Sequence, residues 1–119
     1  MEDSENRIFR RALCPSPQSL PMSVSKSVTF TIKPDAVEAV ESAIATFLAA
    51  IGRKELGRTL LYKSYRQKDN PLAYLHVMTF RDEMAEEAHK EAPHTKAFVE
   101  VLYPLCTEAP DFKDLEELS

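Results

Sequence analysis

The stretch Ala73-Tyr74-Leu75-His76-Val77-Met78-Thr79-Phe80 decides the fold. In an extended chain successive side chains point to opposite faces, so Tyr74, His76, Met78 and Phe80 share one side and Ala73, Leu75, Val77 and Thr79 the other. Both sides are largely apolar, and both need cover. The strand, read over Leu72 to Phe80, follows the turn Lys68-Asp69-Asn70-Pro71 and an earlier strand over Thr59 to Arg66. The two strands form a hairpin.

Upstream, Val28, Phe30 and Ile32 alternate with Thr29, Thr31 and Lys33 until Pro34 stops the strand. Asp35 and Glu38 resemble a capping box, and Val37, Val40, Ile44, Phe47, Leu48 and Ile51 then occupy one helical face up to Gly52. Downstream, Asp82 is placed to cap a helix through Met84, Ala85 and Ala88; Pro93 interrupts it, and Phe98, Val101, Leu102 and Leu105 continue a helical segment. The tail is ambiguous: Phe112, Leu115 and Leu118 have helical spacing, while the element order leaves room for a closing strand. Strand, helix, strand, strand, helix, strand is the ferredoxin-like βαββαβ unit of the α+β class, an antiparallel sheet with its helices on one face. One helical layer leaves the other face bare, so a homodimer packed sheet to sheet is expected.

The chain has 119 residues, enough for one domain, and its 15 Lys+Arg against 19 Asp+Glu give a net charge of −4. That balance offers no electrostatic grip on phosphate backbones, and no nucleic-acid partner is expected. The longest apolar run, Ala43 to Ile51, is far below the roughly 20 residues of a membrane span. The N-terminus carries no signal-peptide pattern, so a cytoplasmic protein without membrane partner is expected. Two glycines cannot write a dinucleotide fingerprint, and Cys14 and Cys106 read as reduced thiols. Residues 1–25, with Pro15, Pro17 and Pro21 among Ser and Gln, read as a disordered extension ahead of a domain over 26–119, and Met22 is a candidate natural start.

Several patterns suggest chemistry. Gly52-Arg53-Lys54-Glu55-Leu56-Gly57-Arg58-Thr59 imitates a phosphate loop, but it closes a helix and opens a strand, the reverse of the required context. Glu86-x-x-His89 has di-iron spacing, yet a di-iron bundle needs two such motifs and further carboxylates. His89 and His94, five apart across a proline, are poorly spaced for one helical face. No metal site is expected. His76, mid-strand beside Tyr74 and Met78, suits either a hydrogen-bonded structural histidine or a base. Tyr62 and Tyr65 fall on opposite faces, so only one can line a cavity, and Arg66 at a strand end is a rim charge or an anion holder. The acidic run Asp82, Glu83, Glu86, Glu87 and Glu91 reads as a solvated helix face.

Ala88-His89-Lys90-Glu91-Ala92-Pro93-His94-Thr95-Lys96-Ala97-Phe98 resembles the second-helix signature of the antibiotic biosynthesis monooxygenase (ABM) domains of the dimeric α+β barrel superfamily, which includes small quinol monooxygenases. Tyr62-Lys63-Ser64-Tyr65-Arg66, the Asp-Asn-Pro turn and Tyr103-Pro104-Leu105 extend the resemblance over roughly Val28 to Leu118. Two departures stand out. Phe80 replaces a common Trp, and the segment from Gly57 to Pro71 is one residue longer, around Arg58. At the positions where haem-degrading relatives use Asn, Trp and His, this chain has Ser27, His89 and Val99, which disfavours haem degradation.

The resemblance implies a small homodimeric oxygenase that oxidises a phenolic or quinol-type molecule with dioxygen, without bound metal, flavin or other cofactor. Such chemistry needs an apolar pocket, a base and donors for a developing oxyanion. The candidate bases are His89, His94 and His76; Tyr62 and Tyr74 are candidate donors, and Phe47, Met78, Phe80 and Phe98 candidate walls for a small aromatic substrate. Two alternatives share the scaffold: a non-catalytic dimeric barrel that binds a small apolar metabolite or serves a stress response, and an isomerase or decarboxylase.

Overall fold

A computed structural model describes residues 23–118. The expectations for Met22 and for most of the extension fall outside those residues. The elements are β1 (Val24–Thr31), a 3₁₀ turn (Pro34–Ala36), α1 (Val37–Lys54), β2 (Thr59–Arg66), β3 (Ala73–Phe80), α2 (Glu83–Glu91), α3 (Pro93–Leu105) and β4 (Asp111–Leu115). The sheet runs β2-β3-β1-β4 with every pair antiparallel, as the ferredoxin-like order requires. The tail closes the sheet as a strand beside β1, with Phe112 opposite Val28.

The helices cover one face. Val28 and Phe30 of β1 and Tyr74, Met78 and Phe80 of β3 form a core with Val40, Ile44, Phe47 and Ile51 of α1, Ala85 of α2, and Phe98 and Leu102 of α3. Each large apolar side chain among these contributes about 2 kcal/mol by leaving water. On the opposite face Leu75, Val77 and Thr79 are half-buried, Leu61 and Tyr65 are exposed, and no helix lies over them.

Three local expectations are corrected. No capping box forms at Asp35 and Glu38: Asp35 lies inside the 3₁₀ turn, and Ala36, with no side-chain acceptor, occupies the N-cap of α1. Helix α1 passes through Gly52 to Lys54. The turn that follows the helix passes through Gly57, whose φ of +82° is left-handed and suits glycine. The third correction is that β1 starts at Val24, four residues before the apolar alternation begins.

Asp82 does cap α2, its Oδ1 accepting from the Ala85 amide at 2.8 Å. Strand β2 carries one extra residue against β3: Thr59 pairs with Phe80 but Leu61 pairs with Thr79. This bulge resets the side-chain alternation, so Thr59 and Tyr62, three apart, both face the helices.

Candidate functional site

A cavity of about 410 Å³ lies between the helix-covered sheet face and the helices. Its walls are mostly apolar, with Phe47 from α1, Met78 and Phe80 from β3, and Phe98 and Leu102 from α3. Phe47 and Phe98 stack with ring centroids 4.4 Å apart. Val28, Phe30 and Phe112 continue the wall across β1 and β4. Among the polar groups reaching it are Tyr62, His76, His89 and Thr95, with Lys26, Glu86 and Lys90 as a charged margin. Thr95 Oγ1 is buried and bonds no described residue.

His76 is fully buried at mid-strand and has both ring nitrogens occupied: Tyr62 Oη lies 2.9 Å from Nδ1 and Ser64 Oγ 2.9 Å from Nε2. Burial pushes its pKa down to about 4, so the ring is neutral near pH 7. Burial, reinforced by the nearby Glu55 charge and Tyr103, pushes the Tyr62 phenol up, and Tyr62 stays protonated.

The sharpest convergence is one the sequence did not suggest. Gly57 and the turn it allows hold Glu55 at the end of α1, where the Arg58 and Thr59 amides both donate to its carbonyl at 3.0 Å. Its carboxylate, 3% exposed, points inward. Thr59 Oγ1 donates to Oε1 at 2.5 Å, His89 Nδ1 lies 2.9 and 3.0 Å from the two oxygens, and His94 Nε2 lies 2.5 Å from Oε2. Burial opposes the charge on Glu55, but the bonds from Thr59, His94 and His89 outweigh it and hold its pKa below the ordinary carboxylate value. Burial likewise lowers the pKa of His89, against the opposing pull of Glu55. An ionised Glu55 facing a neutral His89 satisfies both shifts.

The break between α2 and α3 makes this possible. Ala92 precedes Pro93 and is driven out of the helical region to ψ 142°, and Pro93 then opens α3. The spacing of His89 and His94 is poor for one helical face, and the break instead sets them on two helices whose rings meet one carboxylate.

Of the residues singled out from sequence, His76, His89, Tyr62, Phe47, Met78, Phe80 and Phe98 all line the cavity. Tyr74 and His94 do not. Tyr74 stacks on Phe30 at 5.4 Å and donates to Glu41 Oε2 at 2.8 Å, and Arg66 Nη1 meets the same oxygen at 2.6 Å. Arg66 is thus a rim ion pair. His94 instead contacts Glu55, and it does not cap α3, whose N-cap is Ala92.

The acidic run is not uniformly solvated. Glu86 is buried on the cavity wall, and Lys26 Nζ lies 2.8 Å from its Oε2, an ion pair by distance without directed hydrogen-bond geometry. Glu86 pairs with Lys26 while His89 bonds Glu55, so the Glu86-x-x-His89 spacing converges on no common centre. The roles of Glu55, Ser64, Thr59 and Lys26 escaped the sequence reading; the Gly57 turn that holds Glu55 and the bulge that turns Thr59 inward leave no periodic signature.

A family model described as antibiotic biosynthesis monooxygenase matches residues 23–101. No curated protein matches the sequence. Solved structures with the same fold include a proposed antibiotic biosynthesis monooxygenase of Bacteroides thetaiotaomicron, with TM-score 0.76, 20% identity, 82% of this chain and 90% of that chain covered. The protein PA3566 of Pseudomonas aeruginosa is similar with TM-score 0.74 and 20% identity over 86% of this chain and 100% of its own. Rv0793 of Mycobacterium tuberculosis gives 0.73 and 21% over 82% and 96%. Within the described residues no helix is long and apolar enough to cross a membrane.

Proposed function

The chain belongs to the antibiotic biosynthesis monooxygenase family, and from that premise we propose that it oxidises a phenolic or quinol-type small molecule with dioxygen, as a cofactor-independent monooxygenase. The observation that carries this reading is the apolar cavity with a neutral imidazole, His89, and a protonated phenol, Tyr62, on its wall. The aromatic lining suits a flat ring. Removal of the substrate hydroxyl proton raises the ring's electron density, and an electron-rich phenolate passes an electron to dioxygen without metal or flavin.

His89 is the base in this scheme. His76 has no free ring nitrogen, and His94 stands off the cavity wall. In this scheme Tyr62 Oη accepts from His76 Nδ1–H and keeps its own hydrogen to donate toward the developing oxyanion. A lowered pKa keeps His89 unprotonated and ready to accept at neutral pH. We further propose a homodimer through the uncovered sheet face, since Leu61, Tyr65, Leu75 and Val77 would otherwise meet water.

The test separates chemistry from mere binding. In His89→Ala, turnover of an oxidised phenol should vanish while affinity for the same phenol changes little. Turnover that survives the substitution removes His89 as base, and a binding-only protein shows affinity without turnover in either form.

A further inference from the structure

Resting on His89 as the base, we infer that Glu55 is the positioning residue that selects which nitrogen of His89 meets the substrate. Glu55 is absent from the cavity wall and so acts only through its neighbours. An ionised carboxylate is an acceptor only. The three groups within 3.0 Å of it, Thr59 Oγ1, His89 Nδ1 and His94 Nε2, must therefore all donate. His89 carries its hydrogen on Nδ1, and Nε2, which bonds no described residue, keeps its lone pair for the cavity. His94 is fixed the other way, with its hydrogen on Nε2 and a buried Nδ1 that bonds no described residue.

The proton transfer then has a defined course. The substrate O–H bond breaks, its electron pair stays on oxygen, and the proton forms an N–H bond at His89 Nε2. The resulting imidazolium lies against Glu55 through Nδ1–H, so the positive charge has a buried counter-ion. The charged and titratable groups facing His89 are Glu55 from the turn after α1, His94 from α3, Glu86 from α2 and Tyr62 from β2. Of the two acids, only Glu55 hydrogen-bonds the ring.

The experiment is long-range proton–nitrogen NMR on the full chain with labelled histidine, on wild type and Glu55→Gln. In the wild type near pH 7.5, His89 should carry its hydrogen on Nδ1 and His94 on Nε2. Glu55→Gln should move the His89 titration midpoint down by about one pH unit or more, and lower kcat for dioxygen uptake on the order of 10²-fold with KM little changed. A wild-type His89 protonated at Nε2, or at both nitrogens, overturns the assignment, as does a midpoint that Glu55→Gln leaves in place. Should Glu55→Gln fail to fold, the wild-type tautomer alone decides. The expected tautomer in a protein that consumes no dioxygen would sustain the role of Glu55 and remove the oxygenase reading.

Discussion

The Glu55 carboxylate accepts from His89 Nδ1 at 2.9 Å and from His94 Nε2 at 2.5 Å, imidazoles on opposite sides of the Ala92–Pro93 break. On one continuous helix those rings would point about 140° apart, at roughly 100° per residue. The break brings them to one acceptor, and the stability of the region depends on it. Glu55→Ala strands three donors, one buried on His89 and two half-buried on Thr59 and His94, and should cost about 3 kcal/mol, with Glu55→Gln milder, read from urea unfolding at pH 7. Because the folded pKa of Glu55 is lowered, its contribution is present above the unfolded value of 4.5 and is lost as pH falls through the folded value.

His76 gives a second pH signature. Its folded pKa of about 4 lies below the unfolded 6.5, so the unfolded chain binds a proton first as pH drops. Stability should therefore decline from pH 6.5 to about 4, by about 3 kcal/mol from this residue, and level off below. Unfolding curves for His76→Gln across that window should show a shallower decline than wild type; parallel curves would contradict the burial account.

Tyr62 and Ser64 bracket the same ring. Tyr62→Phe and Ser64→Ala each leave a buried nitrogen without its partner and should cost about 1–3 kcal/mol. The double variant should depart from additivity because both act on His76. Independent, small effects in chemical denaturation would mean that the ring finds other partners.

Val77 pairs in register with Ser27 and Lys63 at the middle of the uncovered sheet face. Val77→Lys places a charge there without touching the helix-covered core. Sedimentation velocity at micromolar concentration should give a dimer of the 13.5 kDa chain for wild type and a monomer for the variant, with unchanged circular dichroism. A monomeric wild type would contradict the proposed pairing.

The fold was legible where local pattern reports a face. Alternation located β3 and the apolar half of β1, and Asp82 marked the start of α2. The tail was undecidable because Phe112 and Leu115 have helical spacing while the order of elements leaves room for a strand; only pairing with β1 makes it a strand. Seven of the nine singled-out residues meet at one cavity because strand and helix periodicity put them on inward faces. Glu55 was invisible for the opposite reason. It sits in a charged turn that resembles a solvated loop, and its partners lie 34 and 39 positions away, so no local spacing announces the contact.

The most direct measurement is dioxygen uptake by chelator-treated protein against a panel of quinols and polycyclic phenols, with His89→Ala alongside. We predict uptake above background for at least one electron-rich phenol, lost in the variant. No uptake across the panel from an intact, folded protein, or uptake that His89→Ala retains, would contradict the account.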